Sequence, residues 1–212
     1  KSLDELIILN VRPNENNRNL FNSHVKEIAK DCFIPISAGG GINNIKEASA
    51  LLKAGADKII INTLISKDYQ AIIKLSENFG QQCIIGSVDF KLINHNYEIY
   101  VNGGKQKIDL SLKNYLYNIM ELPIGELYLN SIDRDGTGQG LMINAMEQIP
   151  QNFDIPIIFA GGIGNWKHIY EGLSFKKIDA VSTAHLFNFV NDGLFKARNE
   201  IINSGINIPL WK

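Results

Sequence analysis

The sequence is poor in three features, and each absence narrows the function. It has only two cysteines, Cys32 and Cys83, each within or beside an apolar segment, which fits a reducing compartment better than a disulfide framework. It has no apolar run approaching about 18 residues and no visible secretory leader, so we expect no membrane span and a cytoplasmic location. Its net charge is only −1, which gives no electrostatic basis for binding nucleic acid or an anionic membrane.

What the sequence does contain suffices for one domain with a large core. The 212 residues are 45% hydrophobic and 20% charged, which is ordinary for a globular protein. Apolar strand-like runs alternate with helix-like segments and short loops along the chain, and this alternation predicts a parallel α/β fold. We therefore expect residues 1–212 to form a single domain.

One pattern occurs twice: an apolar strand, adjacent glycines, a helix-like stretch and a second strand. In the first copy 17 positions separate Gly40 from Asp57, and in the second 18 positions separate Gly161 from Asp179. Glycine lets the main chain approach a ligand closely, and the N–H groups that open the next helix point toward it. The repeat predicts two related halves that each bind a phosphate, and hence a ligand with a phosphate at each end.

The number of strands favours a barrel whose first unit is absent. We predict seven parallel strands, whereas a TIM (β/α)8 barrel has eight and typically runs to ~250 residues. The difference, roughly 40 residues, is about one βα unit, and the chain enters a strand soon after Lys1. We therefore expect a strand and a helix before Lys1. An open doubly wound sheet is the alternative, and the two-half repeat favours the closed barrel.

Residues 97–108 interrupt the alternation of strands and helices. They alternate between apolar and polar side chains and contain Asn102 followed by Gly103, a strong hairpin signal. We predict a small β-hairpin insertion above the main fold.

In a TIM barrel the active site lies at the C-terminal ends of the strands. Asp89 directly follows an apolar strand, so we favour a general acid/base role over a helix cap or a loop salt bridge. Asp135 lies in a polar glycine-rich loop, where Asx-turns offer a structural explanation beside a ligand contact. His185 is a candidate base, although a lone histidine at a strand end is more often a structural group.

The opposite ends of the strands carry charges of mixed sign. Glu5, Lys58 and Glu126 each stand at or just before the start of a strand. Charges at the bottom of a barrel usually serve stability or solvation. Here the three would converge around the barrel axis, as either a plug or a gate.

The chain resembles the cyclase subunit of imidazole glycerol phosphate synthase, the ammonia-using barrel of histidine biosynthesis. The resemblance covers nearly the whole chain and is most specific in residues 4–6, 39–42, 55–58, 61–63, 88–91, 131–137 and 160–162. It implies a lyase that acts on a bis-phosphorylated substrate and receives ammonia from a glutaminase (a glutamine amidotransferase) docked at the N-terminal face. The products would be imidazole glycerol phosphate and an aminoimidazole carboxamide ribotide.

The resemblance also assigns roles to residues. Asp89 matches one of two catalytic aspartates, and the other would precede Lys1. Glu5, Lys58 and Glu126 match three of four charges of an ammonia gate, and Asp57 matches a position at the partner interface. We expect no metal and no cofactor. The residues expected to bind substrate are Gly40, Gly41, Asn62, Thr63, Asn130, Asp135, Gly136, Gly161, Gly162, Thr183, Ala184 and His185.

Several positions depart from the family pattern and keep a second function open. Asn10 stands where aspartate is usual, and Ala160 and His185 replace serines near the second phosphate. With Asn130 and the hairpin, these departures resemble cyclase-like paralogues that channel ammonia for sugar amidation in surface-polysaccharide (lipopolysaccharide) biosynthesis. A sugar-phosphate isomerase on the same barrel is a third possibility, but it would need no gate and no partner.

Overall fold

A computed structural model describes residues 3–13, 15–186 and 192–209. Seven parallel strands form one sheet, in the order β1 (Leu6–Leu9), β2 (Ile36–Gly39), β3 (Lys58–Ile61), β4 (Ile84–Ile93), β7 (Glu126–Ser131), β8 (Ile157–Ala160) and β9 (Ala180–Ser182). The remaining two strands, β5 (Asn96–Val101) and β6 (Gln106–Ser111), form an antiparallel hairpin on β4. The predicted parallel α/β architecture is confirmed.

Helices follow most of the parallel strands. They are α1 (Glu15–Asp31), α2 (Ile45–Lys53), α3 (Thr63–Lys67), α4 (Tyr69–Phe79), α5 (Leu112–Met120), α6 (Trp166–Leu173) and α7 (Gly193–Asn203), with short 3-10 segments at Gln81–Cys83 and Ile143–Gln148. None of the helices described here is both long and apolar enough to cross a membrane.

The sheet curls so that strands far apart in its order share an inner core. Ile60, Ile85, Tyr128 and Ala160 form one buried cluster, with Ile7 and Ile158 packed against it. These side chains come from five different strands between β1 and β8, and a flat sheet would keep the outer ones apart. The curl is that of a TIM-type barrel, and a second, larger core fills the space between the sheet and the helices.

Two predicted boundaries differ from the structure. The polar, asparagine-rich segment from Arg12 to Arg18 predicts a loop. The loop is shorter, since α1 begins at Glu15 with a polar first turn that shows no apolar periodicity. The last strand stops at Ser182 and does not reach His185, because Thr183 Oγ1 accepts a hydrogen bond from Leu186 N and opens a helical turn.

Candidate functional site

Asp89 lies at the C-terminal edge of the sheet, between amide side chains from both neighbouring strands. Asn62 follows β3 and donates from Nδ2 to Asp89 Oδ2 at 3.3 Å and to the Ser87 carbonyl at 3.1 Å. Asn130 on β7 donates from Nδ2 to Asp89 Oδ1 at 3.0 Å. Both carboxylate oxygens are therefore held in one orientation by neutral donors on the inner face of the barrel.

The surroundings of Asp89 favour its protonated form. Burial raises the pKa of this carboxyl, because the charged form loses water. The hydrogen bond from Asn130 acts in the opposite direction, and the negative charge of Asp135 adds to the increase. An upward shift of the pKa suits a carboxyl that must both give and take protons.

Tyr128 is a buried phenol on the inner face that was not among the residues predicted for the site. Burial raises the pKa of Tyr128 to about 12, a hydrogen bond with Ser182 opposes the increase, and the charges of Asp135 and Asp89 add to it. The hydroxyl therefore stays protonated near neutral pH. The position of Tyr128 could have been predicted from side-chain alternation along β7. Tyr128 lies two residues from Asn130, so both side chains lie on the same face of the strand.

The first glycine cluster packs tightly against the loop between β1 and α1. Gly40 has φ +103°, and a Cβ there would overlap the backbone of Asn10. Gly41 has φ +72°, and a Cβ there would overlap the ring of Pro13. Glycine is required at both positions, because L side chains rarely adopt this backbone conformation and no space exists for them.

Side chains already cap the start of α2, beside these glycines. Asn44 Oδ1 accepts from Glu47 N at 3.0 Å, and the Glu47 carboxylate accepts from Asn43 N at 2.7 Å and from Asn44 Nδ2 at 3.0 Å. Arg18 forms an ion pair with Glu47 and donates to the Gly41 carbonyl at 3.2 Å. The charge of Arg18 is thereby neutralised within the protein.

Thr63 opens α3 and contacts the hairpin. Its Oγ1 accepts from Asn102 N at 3.0 Å and donates to Asn62 Oδ1 at 3.4 Å. The turn of the hairpin therefore lies over the end of β3, next to the first glycine cluster.

The second glycine cluster borders a cavity of ≈ 200 Å³. Residues from three separate segments meet there, and those among the predicted substrate-binding set are Asp135, Gly136, Gly161, Gly162, Thr183, Ala184 and His185. Within residues 3–13, 15–186 and 192–209, no three His, Cys, Asp or Glu side chains group as metal ligands. The lining is rich in glycine backbone, which suits close approach by a phosphate.

The glycines of the second cluster are as constrained as those of the first. Gly161 has φ +93°, and a Cβ there would overlap the Ser131 carbonyl oxygen. Gly162 has φ +107°, and a Cβ there would overlap the carbonyl of Gly140, whose N–H donates to the Gly162 carbonyl at 2.7 Å. The main chain is thus fixed where a ligand would meet it.

The start of α6 is capped differently from that of α2. Asn165 Oδ1 accepts from Lys167 N at 2.9 Å and from His168 N at 3.3 Å. His168 Nδ1 in turn accepts from Gly164 N at 3.1 Å. An imidazole here takes the place that the Glu47 carboxylate has in the first copy.

Three charged residues meet at the opposite end of the inner face. Lys58 Nζ lies 3.0 Å from Glu5 Oε2 and 2.6 Å from Glu126 Oε1. Burial alone lowers the pKa of Lys58, but hydrogen bonds and charge from Glu126 and Glu5 outweigh burial, so the pKa is raised. The curl of the sheet brings together residues from β3, β7 and the segment before β1. We call Glu5, Lys58 and Glu126 the basal charge cluster.

Asp57 has a structural contact at the same end of the barrel. Its Oδ2 accepts from Ile36 N at 2.8 Å, and Asp179 Oδ2 accepts from Ile157 N at the same distance. Each aspartate thus ties the start of its own strand to the start of the preceding strand. The sequence repeat marked Asp179 as the counterpart of Asp57, but its role was not predicted.

The chain matches one protein family and several named relatives. Residues 1–191 match a family described as histidine biosynthesis protein. The chain is 37% identical over 185 residues to imidazole glycerol phosphate synthase subunit HisF of Exiguobacterium sp., covering 87% of this chain and 72% of that protein. It is 33% identical over 207 residues to the HisF subunit of Chloroherpeton thalassium and 31% identical over 207 residues to that of Chlorobium phaeovibrioides, each match covering 98% of this chain and 82% of the relative.

Proposed function

The chain belongs to the histidine biosynthesis protein family, and on that basis we propose that it is the cyclase subunit of an imidazole glycerol phosphate synthase. The observation that carries the proposal is the position of Asp89 on β4, between the two halves that each carry a glycine cluster. A substrate with a phosphate at each end would lie across Asp89, with one phosphate near Gly40 and Gly41 and the other near Gly161 and Gly162.

In this reaction ammonia attacks a ribulosyl aminoimidazole bis-phosphate. A carbon–nitrogen bond forms at the ribulosyl carbonyl carbon, whose oxygen leaves as water. Closing the imidazole ring then breaks the carbon–nitrogen bond to the aminoimidazole, which gives imidazole glycerol phosphate and an aminoimidazole carboxamide ribotide. Protons must leave the attacking nitrogen and reach the leaving group. Asp89 would serve as one general acid/base, because its carboxylate is fixed by Asn62 and Asn130 and its pKa is raised by burial.

The remaining predicted residues would hold the substrate. Asn62 and Thr63 lie beside the first cluster and would position one phosphate. Asp135 and Gly136 lie in the second cavity, where Asp135 would accept hydrogen bonds from hydroxyl groups of the substrate. His185 and its neighbours after β9 would contact the second phosphate.

The basal charge cluster would admit ammonia from a glutaminase partner, most simply in a cytoplasmic complex. Support comes from its place at the N-terminal ends of the strands, at the opposite end of the barrel from Asp89. Lys58 holds both carboxylates of the cluster, so moving one side chain would open a path. The partner would dock on the surrounding face, which includes Asp57.

The gate is tested by replacing Lys58 with methionine. The variant should keep turnover driven by added ammonium but lose coupling to glutamine hydrolysis by the partner. Lys74→Met, exposed in the middle of α4, is the matched control and should leave both activities unchanged. Equal glutamine-dependent turnover in wild type and Lys58→Met would refute the gate.

A second candidate function is an ammonia-channelling paralogue for sugar amidation, and two observations favour it. Ala160 lies within the inner apolar cluster and gives the second site no hydroxyl, while Asn10 is bonded to Asn17 Oδ1 at 3.2 Å. This candidate predicts an intact basal charge cluster, binding to a glutaminase and no turnover of the bis-phosphate.

A further inference from the structure

The β5–β6 hairpin has a polar face that continues the inner face of the barrel. Tyr100 on β5 pairs with Asp89 on one side and with Lys107 on the other. In the next row Lys91 pairs with Glu98. Residues two apart on a strand, and residues paired across strands, share a face. All five side chains therefore lie on the face of the sheet that carries Asp89.

The opposite face of the hairpin is apolar. Phe90 pairs with Ile99, and Ile99 pairs with Ile108. All three pack into the core between the sheet and the helices. This packing fixes the orientation of the hairpin, so its polar face must look toward the opening of the barrel.

The hairpin stands over the first glycine cluster. β7 pairs with one edge of β4 as far as Phe90 and Ser131. On the other edge, the pairing with β3 ends at Ile61, and β5 pairs with β4 beyond that point. The hydrogen bond from Asn102 N to Thr63 Oγ1 anchors the hairpin turn to this position.

Two lysines on the polar face differ in their partners. Lys107 Nζ bonds to Glu98 at 2.7 Å, and Glu98 also accepts from the Tyr100 hydroxyl at 2.9 Å. Lys91 Nζ lies 4.8 Å from the centre of the Tyr100 ring. In the described part of the chain no carboxylate forms an ion pair with Lys91. The ring orients the ammonium without neutralising it.

We propose that Lys91 is a substrate-positioning residue that supplies the positive charge for a sugar phosphate bound at the first glycine cluster. A phosphate monoester there would meet neutral groups from glycine backbone, Asn62 and Thr63. The charge of Arg18 is taken by Glu47, and Arg12 in the neighbouring loop is exposed to solvent. Lys91 is the half-buried cation on the adjoining polar face whose charge is not already matched. The inference rests on the proposed function only for the identity of the phosphate ligand.

The first test separates binding from chemistry in Lys91→Met, Lys91→Arg and Lys105→Met. Lys105 lies in the exposed hairpin turn, so its variant makes the same charge change away from the polar face. With the bis-phosphate substrate and saturating ammonium, Lys91→Met should raise KM roughly 10-fold or more, as expected for losing a charge-assisted contact, with little change in kcat. Lys91→Arg should recover most of the affinity, and Lys105→Met should match wild type.

The second test measures inorganic phosphate affinity by NMR, from the shifts of the Gly40 and Gly41 amides. Lys91→Met should weaken phosphate binding several-fold, while Lys105→Met should not. Lys91-dependent phosphate binding in a protein that does not turn over the bis-phosphate would sustain the inference and refute the cyclase. Unchanged phosphate affinity in Lys91→Met, or an equal loss in Lys105→Met, would overturn the inference, as would a wild type that binds no phosphate at these amides.

Discussion

The two halves of the barrel share a backbone but differ in the side chains at the start of the glycine-linked helix. In both copies a glycine in the left-handed region follows the strand, at Gly40 and at Gly161. In both copies an aspartate reaches back to the preceding strand, at Asp57 and at Asp179. These four residues define the repeat, because each makes a contact that depends on main-chain geometry.

The difference lies at the third residue after the helix cap. Glu47 in the first half is a carboxylate that is paired with Arg18, whereas His168 in the second half is an imidazole that accepts from Gly164 N. The first cluster is also covered by the hairpin, and the second borders a cavity. Main-chain contacts thus preserve the shape of the repeat, while side chains set what each half can bind.

Alanine at either strand-end glycine should have the largest effect. Gly40→Ala and Gly161→Ala each place a Cβ in the left-handed region and against a backbone carbonyl. We expect each to lower the free energy of unfolding by about 3 kcal/mol or more, measured by urea titration, because strain and overpacking add. Gly103→Ala is the control, since its Cβ meets nothing within 4 Å, and should cost about 1 kcal/mol. If the two variants lose different amounts of unfolding free energy, the two halves are not equivalent in backbone constraint.

Removing the aspartate ties should have a smaller and again matched effect. Asp57→Ala removes the acceptor for Ile36 N, the first residue of β2. Asp179→Ala removes the acceptor for Ile157 N, the first residue of β8. We expect each to cost about 1–2 kcal/mol in the free energy of unfolding. If only one variant loses stability, only one half depends on the hydrogen bond from its aspartate to the preceding strand.

Threonine variants should sharpen the contrast between the halves. Thr63→Val removes the acceptor for Asn102 N, whereas Thr183→Val removes the acceptor for Leu186 N. Each should cost about 1 kcal/mol, but hydrogen exchange should rise at Asn102 in the first variant and at Leu186 in the second. Exchange at Asn102 that does not respond to Thr63→Val would mean that the hairpin is held over the first half by other contacts.

The smallest effect concerns Asp89, on the strand between the two halves. Its folded pKa is raised by burial, so the stability it contributes is present below its unfolded pKa and is lost as pH rises through the folded value. Unfolding of wild type and Asp89→Asn should therefore be compared from acid to neutral pH, with wild type losing stability relative to the variant. Parallel curves would contradict a buried, upward-shifted carboxyl.

Much of the fold was predictable because buried parallel strands are nearly continuous apolar runs. This rule holds for the apolar run before Asp89 and for the two strands that precede the glycine clusters. Because these strands are parallel, their C-terminal ends were expected at one edge of the sheet. The first turn of α1 was missed because its polar side chains carry no periodicity. The end of β9 was missed because the hydrogen bond from Leu186 N to Thr183 Oγ1 is a local choice that apolar patterning does not encode.

The candidate site was predictable only where residues lie at strand ends. Glu47 and its ion-pair partner Arg18 lie on different helices, so no short sequence motif predicts that they meet. Similarly, the ring of Tyr100 meets Lys91 only because the hairpin folds back on β4. Such contacts depend on the tertiary arrangement, which a single sequence does not specify.

The cyclase function is tested first by turnover of the ribulosyl aminoimidazole bis-phosphate by the full-length protein with a high concentration of ammonium. Wild type and Asp89→Asn should be compared side by side. We expect turnover by wild type and a loss of about 10²-fold or more in kcat for the variant, since a positioned acid/base is removed. Absence of wild-type turnover in a protein that still binds a glutaminase, or an undiminished kcat in Asp89→Asn, would contradict it.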